Sequence, residues 1–186
     1  MSNAHKRKKD PEAVRELLLE VAAALCLEKG AASLRLDAVA SEAGVSKGGL
    51  LHHFPSKADL LVGMLDDLIA RLEAAIEGEM RTDEEPHGRF TRAYLKVCFA
   101  PGGMEEGARW KAMTGALLAE PQLRRRWQAW ITQQAERHAD TDSSPDCELV
   151  RFAADGLWLA SLLESHTLEP VREQELMQRL LDLTRS

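Results

Sequence analysis

No stretch of this chain stays apolar for the roughly eighteen residues that a bilayer-spanning helix needs, which excludes a membrane span. Cysteine is scarce and scattered, at Cys26, Cys98 and Cys147. Their odd number and the lack of any Cys-x-x-Cys pair exclude a disulfide framework or a zinc knuckle. Cys26 and Cys98 sit on apolar helical patterns and read as buried thiols. Of the six histidines only His52 and His53 are adjacent, and neighbours on a helix point about 100° apart, which makes a poor chelate and predicts no metal. The chain lacks a Gly-x-Ser-x-Gly elbow, a P-loop, a Gly-x-Gly-x-x-Gly after a strand and a His-Glu-x-x-His. Asp66-Asp67 and Glu84-Glu85 are sequence neighbours, as solvated faces require, rather than paired acid–base groups. The expectation is therefore no enzyme and no cofactor. The basic start, Lys6 to Lys9, has no apolar segment behind it, which speaks against a secretory signal and for a cytoplasmic protein.

Positive charge is also short, with a net charge of −6. That balance alone argues against nucleic acid, but its distribution points the other way. Residues 1–60 carry +1 and the remainder carries −7, so the cations gather in the first third. Screening acts over roughly 8–10 Å, so the face presented to phosphate outweighs the global sum.

Alternating β patterns are missing, and helical periodicity fills nearly the whole length. The spacing predicts helices over 11–29, 37–43, 47–53, 57–79, 88–99, 105–119, 121–138, 146–165 and 171–184. These nine make an all-α protein, with a polar loop at Asp140–Ser144 and a break at Pro101-Gly102-Gly103. The helix at 146–165 is apolar on several sides and must bury more than one face.

The segment from Val39 to Leu60 is the most informative. Gly44 suits the positive φ of a tight helix–helix turn, and Ser46 is a good N-cap for the next helix. Pro55 stops that helix and Ser56 caps the long one after it. Two helices joined by a short Gly turn form a helix-turn-helix, whose second helix can enter the DNA major groove.

Val39-Ala40, Ala43-Gly44-Val45-Ser46-Lys47-Gly48, Leu50, His53-Phe54 and Ser56-Lys57 resemble the N-terminal signature of TetR-type transcriptional repressors. The likeness is detailed over residues 12–65. It implies a flexible basic arm at 1–10, a DNA-binding domain at 11–56 and a helical ligand-binding and dimerisation domain at 57–186. The implied DNA-binding residues are Arg35, Ser46, Lys47, Gly48, Gly49, His52, His53 and Lys57. The N-terminus of the helix at 57 would add a dipole favourable to phosphate. Arg35 replaces the usual hydroxyl cap, Gly49 stands where Thr or Ser is common, and Leu51 replaces a phosphate-binding Tyr. Direct base contacts are thus expected to be few.

The same resemblance implies an inducer cavity. Its candidate lining is Met64, Leu68, Tyr94, Phe99, Trp110, Met113, Leu117, Trp127, Trp130 and Trp158, residues that otherwise read as core. No charged group interrupts these stripes, which predicts a small hydrophobic effector. The implied homodimer surface comprises Phe152, Ala153, Gly156, Leu157 and Ala160 with Leu176, Leu180 and Leu183. The expected function is a ligand-responsive repressor that binds double-stranded operator DNA. The competing reading is a ligand- or partner-binding protein of the same fold with weak or lost specific DNA binding.

Overall fold

The computed structural model describes residues 10–99, 104–166 and 168–185; the basic arm at Lys6–Lys9 and the break at Pro101-Gly102-Gly103 lie outside the described residues. The helices are α1 (Pro11–Lys29), α2 (Leu36–Glu42), α3 (Lys47–His53), α4 (Lys57–Thr82), α5 (Arg89–Phe99), α6 (Met104–Ala119), α7 (Pro121–Arg137), α8 (Ala139–Asp142), α9 (Pro145–Leu162) and α10 (Pro170–Leu183), with a 3-10 turn at Ala31–Ser33. No strand occurs among the described residues. The expected all-α class holds, with ten α-helices among the described residues where nine were expected.

The chain divides into two compact units, one reaching to Leu68 and adding Glu105–Arg124, the other made of Ile69–Met104 and Arg125 onward. This differs from the boundary expected at 56/57, because the start of α4 and most of α6 belong with the helix-turn-helix. In the first unit Leu18, Ala22, Val39, Leu50, Leu60, Leu65 and Met113 are all but sealed from solvent. Each such side chain stabilises by roughly 1.5–3 kcal/mol relative to exposure. Arg109 of α6 reaches Glu20 of α1 at 3.9 Å and Asp67 of α4 at 3.6 Å.

The second unit is organised by polar groups from distant parts of the chain. Gly88 precedes α5 at φ +68°, and a Cβ there would lie 2.5 Å from the Thr184 carbonyl oxygen, so the position admits only glycine. Glycine brings no capping side chain, and Asp142 supplies one: its Oδ1 accepts the Thr91 N–H at 2.8 Å. The Thr141 carbonyl accepts the Gly88 N–H at 2.9 Å. Arg151 of α9 closes the junction by donating to Thr91 Oγ1 and to the Asp142 carbonyl. This accounts for α8, where the sequence predicts only a polar loop.

Arg92 is the other node, 1% exposed. Its Nε and Nη2 donate to Asp83 at 2.7 and 3.1 Å. Nη1 donates to the His87 carbonyl and Thr184 Oγ1, and Nη2 also to the Glu85 carbonyl. All five guanidinium N–H groups are used.

Helix ends follow local chemistry. α4 runs on to Thr82, whose hydroxyl donates to the Glu79 carbonyl. α9 stops at Leu162, earlier than expected, because Glu164 takes φ +51° and the Ser165 N–H closes onto the Ala160 carbonyl at 3.0 Å. No described helix is long and apolar enough to cross a membrane.

Candidate nucleic-acid interface

Two short helices and the turn between them build this site. Gly44 adopts φ +64°, and two reverse bonds close the end of α2: the Val45 N–H to the Ala40 carbonyl and the Gly44 N–H to the Ser41 carbonyl. Ser46 Oγ then accepts the Gly49 N–H at 3.1 Å, capping α3 as its sequence predicts. Leu50 and Phe54 anchor α3 in the core. Phe54 fits because Gly63 of α4 has no side chain: a Cβ there would lie 2.6 Å from the ring. Arg15 lies over the ring, 5.6 Å from its centroid.

Anchoring one face presents the other. Lys47, Gly48 and His52 are exposed, while Gly49, Leu51 and His53 are half-buried. Lys47 leads the helix, with Nζ 3.0 Å from Asp37 Oδ1 of α2. Arg35 is exposed at the start of α2 and makes no side-chain cap there. Lys57 has a duty within the fold that the sequence did not reveal: its ammonium donates to the Ala32 carbonyl at 2.7 Å and ties down the turn after α1. The α4 N-terminus already holds a carboxylate, since Ser56 Oγ accepts the Asp59 N–H and donates to Asp59 Oδ2. The dipole expected there for phosphate is thus partly answered within the chain.

A Cβ on Gly48 would meet nothing within 4 Å, whereas one on Gly49 would crowd the capping Ser46 Oγ at 3.2 Å. Gly48→Ala is expected to stabilise the first unit by about 0.5–1 kcal/mol through helix propensity, and Gly49→Ala by less. Urea unfolding of the two variants checks the order.

Residues 18–64 match the family model described as "Bacterial regulatory proteins, tetR family", and residues 88–185 match "Tetracyclin repressor-like, C-terminal domain". The chain belongs to the TetR family. It is 28% identical over 143 residues to the transcriptional regulator EthR of Mycolicibacterium smegmatis, covering 71% of this chain and 65% of EthR. It is 36% identical over 84 residues to the repressor KstR2 of Mycobacterium tuberculosis, covering 43% of this chain and 42% of KstR2. These alignments span less than two-thirds of either relative. Among solved structures, the multidrug binding protein EbrR complexed with malachite green superposes with a TM-score of 0.72 at 22% identity, covering 91% of this chain and 97% of EbrR. KstR2 of M. tuberculosis gives 0.59 at 22% identity, covering 91% of this chain and 92% of that one. At these identities the likeness establishes the fold.

The cavity candidates implied by TetR membership fall in both units. In the first, Met64 and Leu68 line a cavity of about 10 Å³ with Leu19, Ala23, Asp67 and Arg109; Met113 is buried, and Trp110 and Leu117 are half-buried. In the second, Trp127 stacks on Trp130 with centroids 4.8 Å apart, Tyr94 is buried, and Phe99 and Trp158 are half-buried. A cleft of about 210 Å³ in the second unit is lined by Glu73, Ile76, Glu77, Met80, Arg81, Gln134, Arg137 and His138, none of them anticipated. Charge does meet the aromatic stripes, against the sequence expectation. Glu73 Oε1 accepts from Trp130 Nε1 at 2.8 Å and from Gln134 at 3.0 Å, and the Tyr94 hydroxyl donates to Asp155. These acids come from other helices, so no single helical pattern discloses them.

Burial raises the Asp155 carboxyl above the ordinary range, raises Tyr94 strongly, and pushes the Cys98 thiol up to about 12. Cys26 is also raised by burial, and Cys26 and Cys147 are buried. All three cysteines are free; Cys98, expected to be buried, is half-buried, and the raised Cys26 and Cys98 stay protonated at neutral pH.

On α9, Cys147, Val150 and Ala154 form the buried face, and α9 packs against α5 and α10. Leu149, Phe152, Gly156, Leu159 and Leu163 lie exposed at three- and four-residue spacing on the opposite side. Phe152 and Gly156 are among the residues expected at a dimer surface; Leu149, Leu159 and Leu163 of the same stripe are not. Ala153, Leu157 and Ala160 are half-buried, as are Leu176, Leu180 and Leu183 of α10.

Proposed function

We propose that the protein is a ligand-responsive transcriptional repressor that binds operator DNA as a homodimer and is released by a small effector. One observation carries this: α3 is locked by Leu50 and Phe54 so that Lys47, Gly48 and His52 face outward from a capped helix-turn-helix. Lys47 supplies a cation for a phosphate or a guanine edge, and His52 a second donor. Gly48 and Gly49 contribute no side chains but permit close backbone approach. Operator reading then rests on few base contacts, on phosphate contacts from Arg35 and His53, and on DNA shape.

The exposed stripe on α9, with Leu176, Leu180 and Leu183 of α10, supports pairing of two copies through four helices. Two recognition helices would then address half-sites about one helical turn apart, ~34–36 Å. KstR2 is called a ketosteroid transcriptional regulator and EbrR a multidrug binding protein, which supports an organic effector held among the aromatic residues. The effector acts only through its difference in affinity between the DNA-bound and released states. Continuous α4, which contributes to both units, is the route we assign to that coupling.

The test is Lys47→Ala. Operator affinity is expected to fall about tenfold or more, the ~1–3 kcal/mol of a base-edge contact, with urea stability unchanged. Unchanged affinity in a gel shift at physiological salt would sink the assignment of α3. A second reading, the same fold with weak specific DNA binding, is favoured by the Lys57–Ala32 bond and the bare Gly48-Gly49 pair. It predicts no preference among duplex sequences.

A further inference from the structure

The ion pair at the head of α3 has no counterpart in the DNA-binding roles set out above. Asp37 and Lys47 lie on different helices, with Oδ1 and Nζ 3.0 Å apart and side chains 60% and 62% exposed. We propose that Asp37 is a specificity-determining residue: it holds Lys47 in place and offsets its charge, so that the protein binds random DNA weakly and its operator selectively. This rests on the DNA-binding reading.

A lysine free to swing on its four-carbon stem neutralises any nearby phosphate, equally on every sequence. Asp37 changes both terms. In the free protein it keeps the ammonium at the N-terminus of α3, paired until a base edge displaces the carboxylate. It also sets a negative charge where a phosphate would otherwise pair with Lys47. Non-specific complexes are almost entirely electrostatic and lose most from that charge. A specific complex loses less, because bonds from Lys47 to a guanine edge repay the displacement of Asp37. Exposed pairs are weakly held, so DNA can displace the carboxylate.

Asp37 is also the acidic group in the first turn of α2, where a negative charge favours the helix dipole. That role alone would alter stability and leave DNA discrimination untouched. Titration of Asp37→Asn, Lys47→Ala and the double variant against a selected operator and a random duplex, across salt concentrations, separates the two. The proposal expects Asp37→Asn to bind the random duplex several-fold more tightly, with a salt slope steeper by about 0.9. Operator affinity rises less, so the operator-to-random ratio falls, and most of the effect disappears in the Lys47→Ala background. An unchanged ratio overturns the proposal. So does an equal effect with and without Lys47, which would mark plain charge repulsion. A wild-type protein that selects no sequence overturns the DNA-binding reading itself, and this shows before any variant is compared.

Discussion

Arg92→Ala is expected to cost the second unit about 3–5 kcal/mol, a large share of the roughly 5–15 kcal/mol that keeps a domain folded. The size follows from what the deletion strands. Asp83 loses a two-point partner, and the His87 and Glu85 carbonyls and Thr184 Oγ1 lose their donor together. These groups fasten the α4–α5 connection and the end of α10 to α5, so one truncation loosens three elements. Arg92→Lys should recover little, because an ammonium with three donors cannot replace five in a planar fork. Urea unfolding followed by helical circular dichroism gives the measurement. Its pH dependence gives a signature. The hydrogen bond from Arg92 holds the Asp83 carboxyl below its usual range. A depressed folded-state value means that this stability is present above the ordinary carboxylate pKa and is lost as pH falls through the lowered one. Wild type should show that acid loss, and Arg92→Ala should lack this contribution.

Phe152→Asp should have the second large effect, on assembly. Phe152 is 66% exposed in the single chain, in the middle of the apolar stripe on α9. In a two-fold pairing of that stripe, the same residue from both copies lies within one self-complementary patch. An aspartate there buries two like charges, and sedimentation should find a monomer at micromolar concentration. Operator affinity should fall by roughly two orders of magnitude or more, since each half-site must then be held independently. Folding should be unaffected, because the stripe faces away from the Cys147–Val150–Ala154 side that packs inward. A dimer that survives the substitution would move the interface elsewhere.

The sequence was most legible where a structural cause is local. Gly44, Ser46 and Pro55 bracket α3, and its bounds came out at Lys47–His53 as expected, since caps and turns act within four residues. It was illegible where the cause is distant. Asp142 caps α5 from 51 residues away, so residues 140–144 read as loop although Asp140 to Asp142 belong to a helical turn. Lys57 has the residue type of a phosphate ligand, yet it also holds Ala32, 25 positions earlier. The Arg92 node and the Glu73–Trp130 bond are long-range too, and helical periodicity carries no trace of them. Helix α9 marks the limit of pattern reading. A helix apolar nearly all round predicts that more than one face is buried, but not which faces. Only the packing of Val150 and Ala154 showed that Leu149, Leu159 and Leu163 are left outside.

The most direct test of the whole account is selection by the wild-type protein from a library of randomised duplexes at physiological salt. The account predicts enrichment of an inverted repeat whose half-sites lie about one helical turn apart or slightly more, with enrichment lost in Lys47→Ala. No enriched sequence, or a single asymmetric site bound equally well by Lys47→Ala, would contradict it.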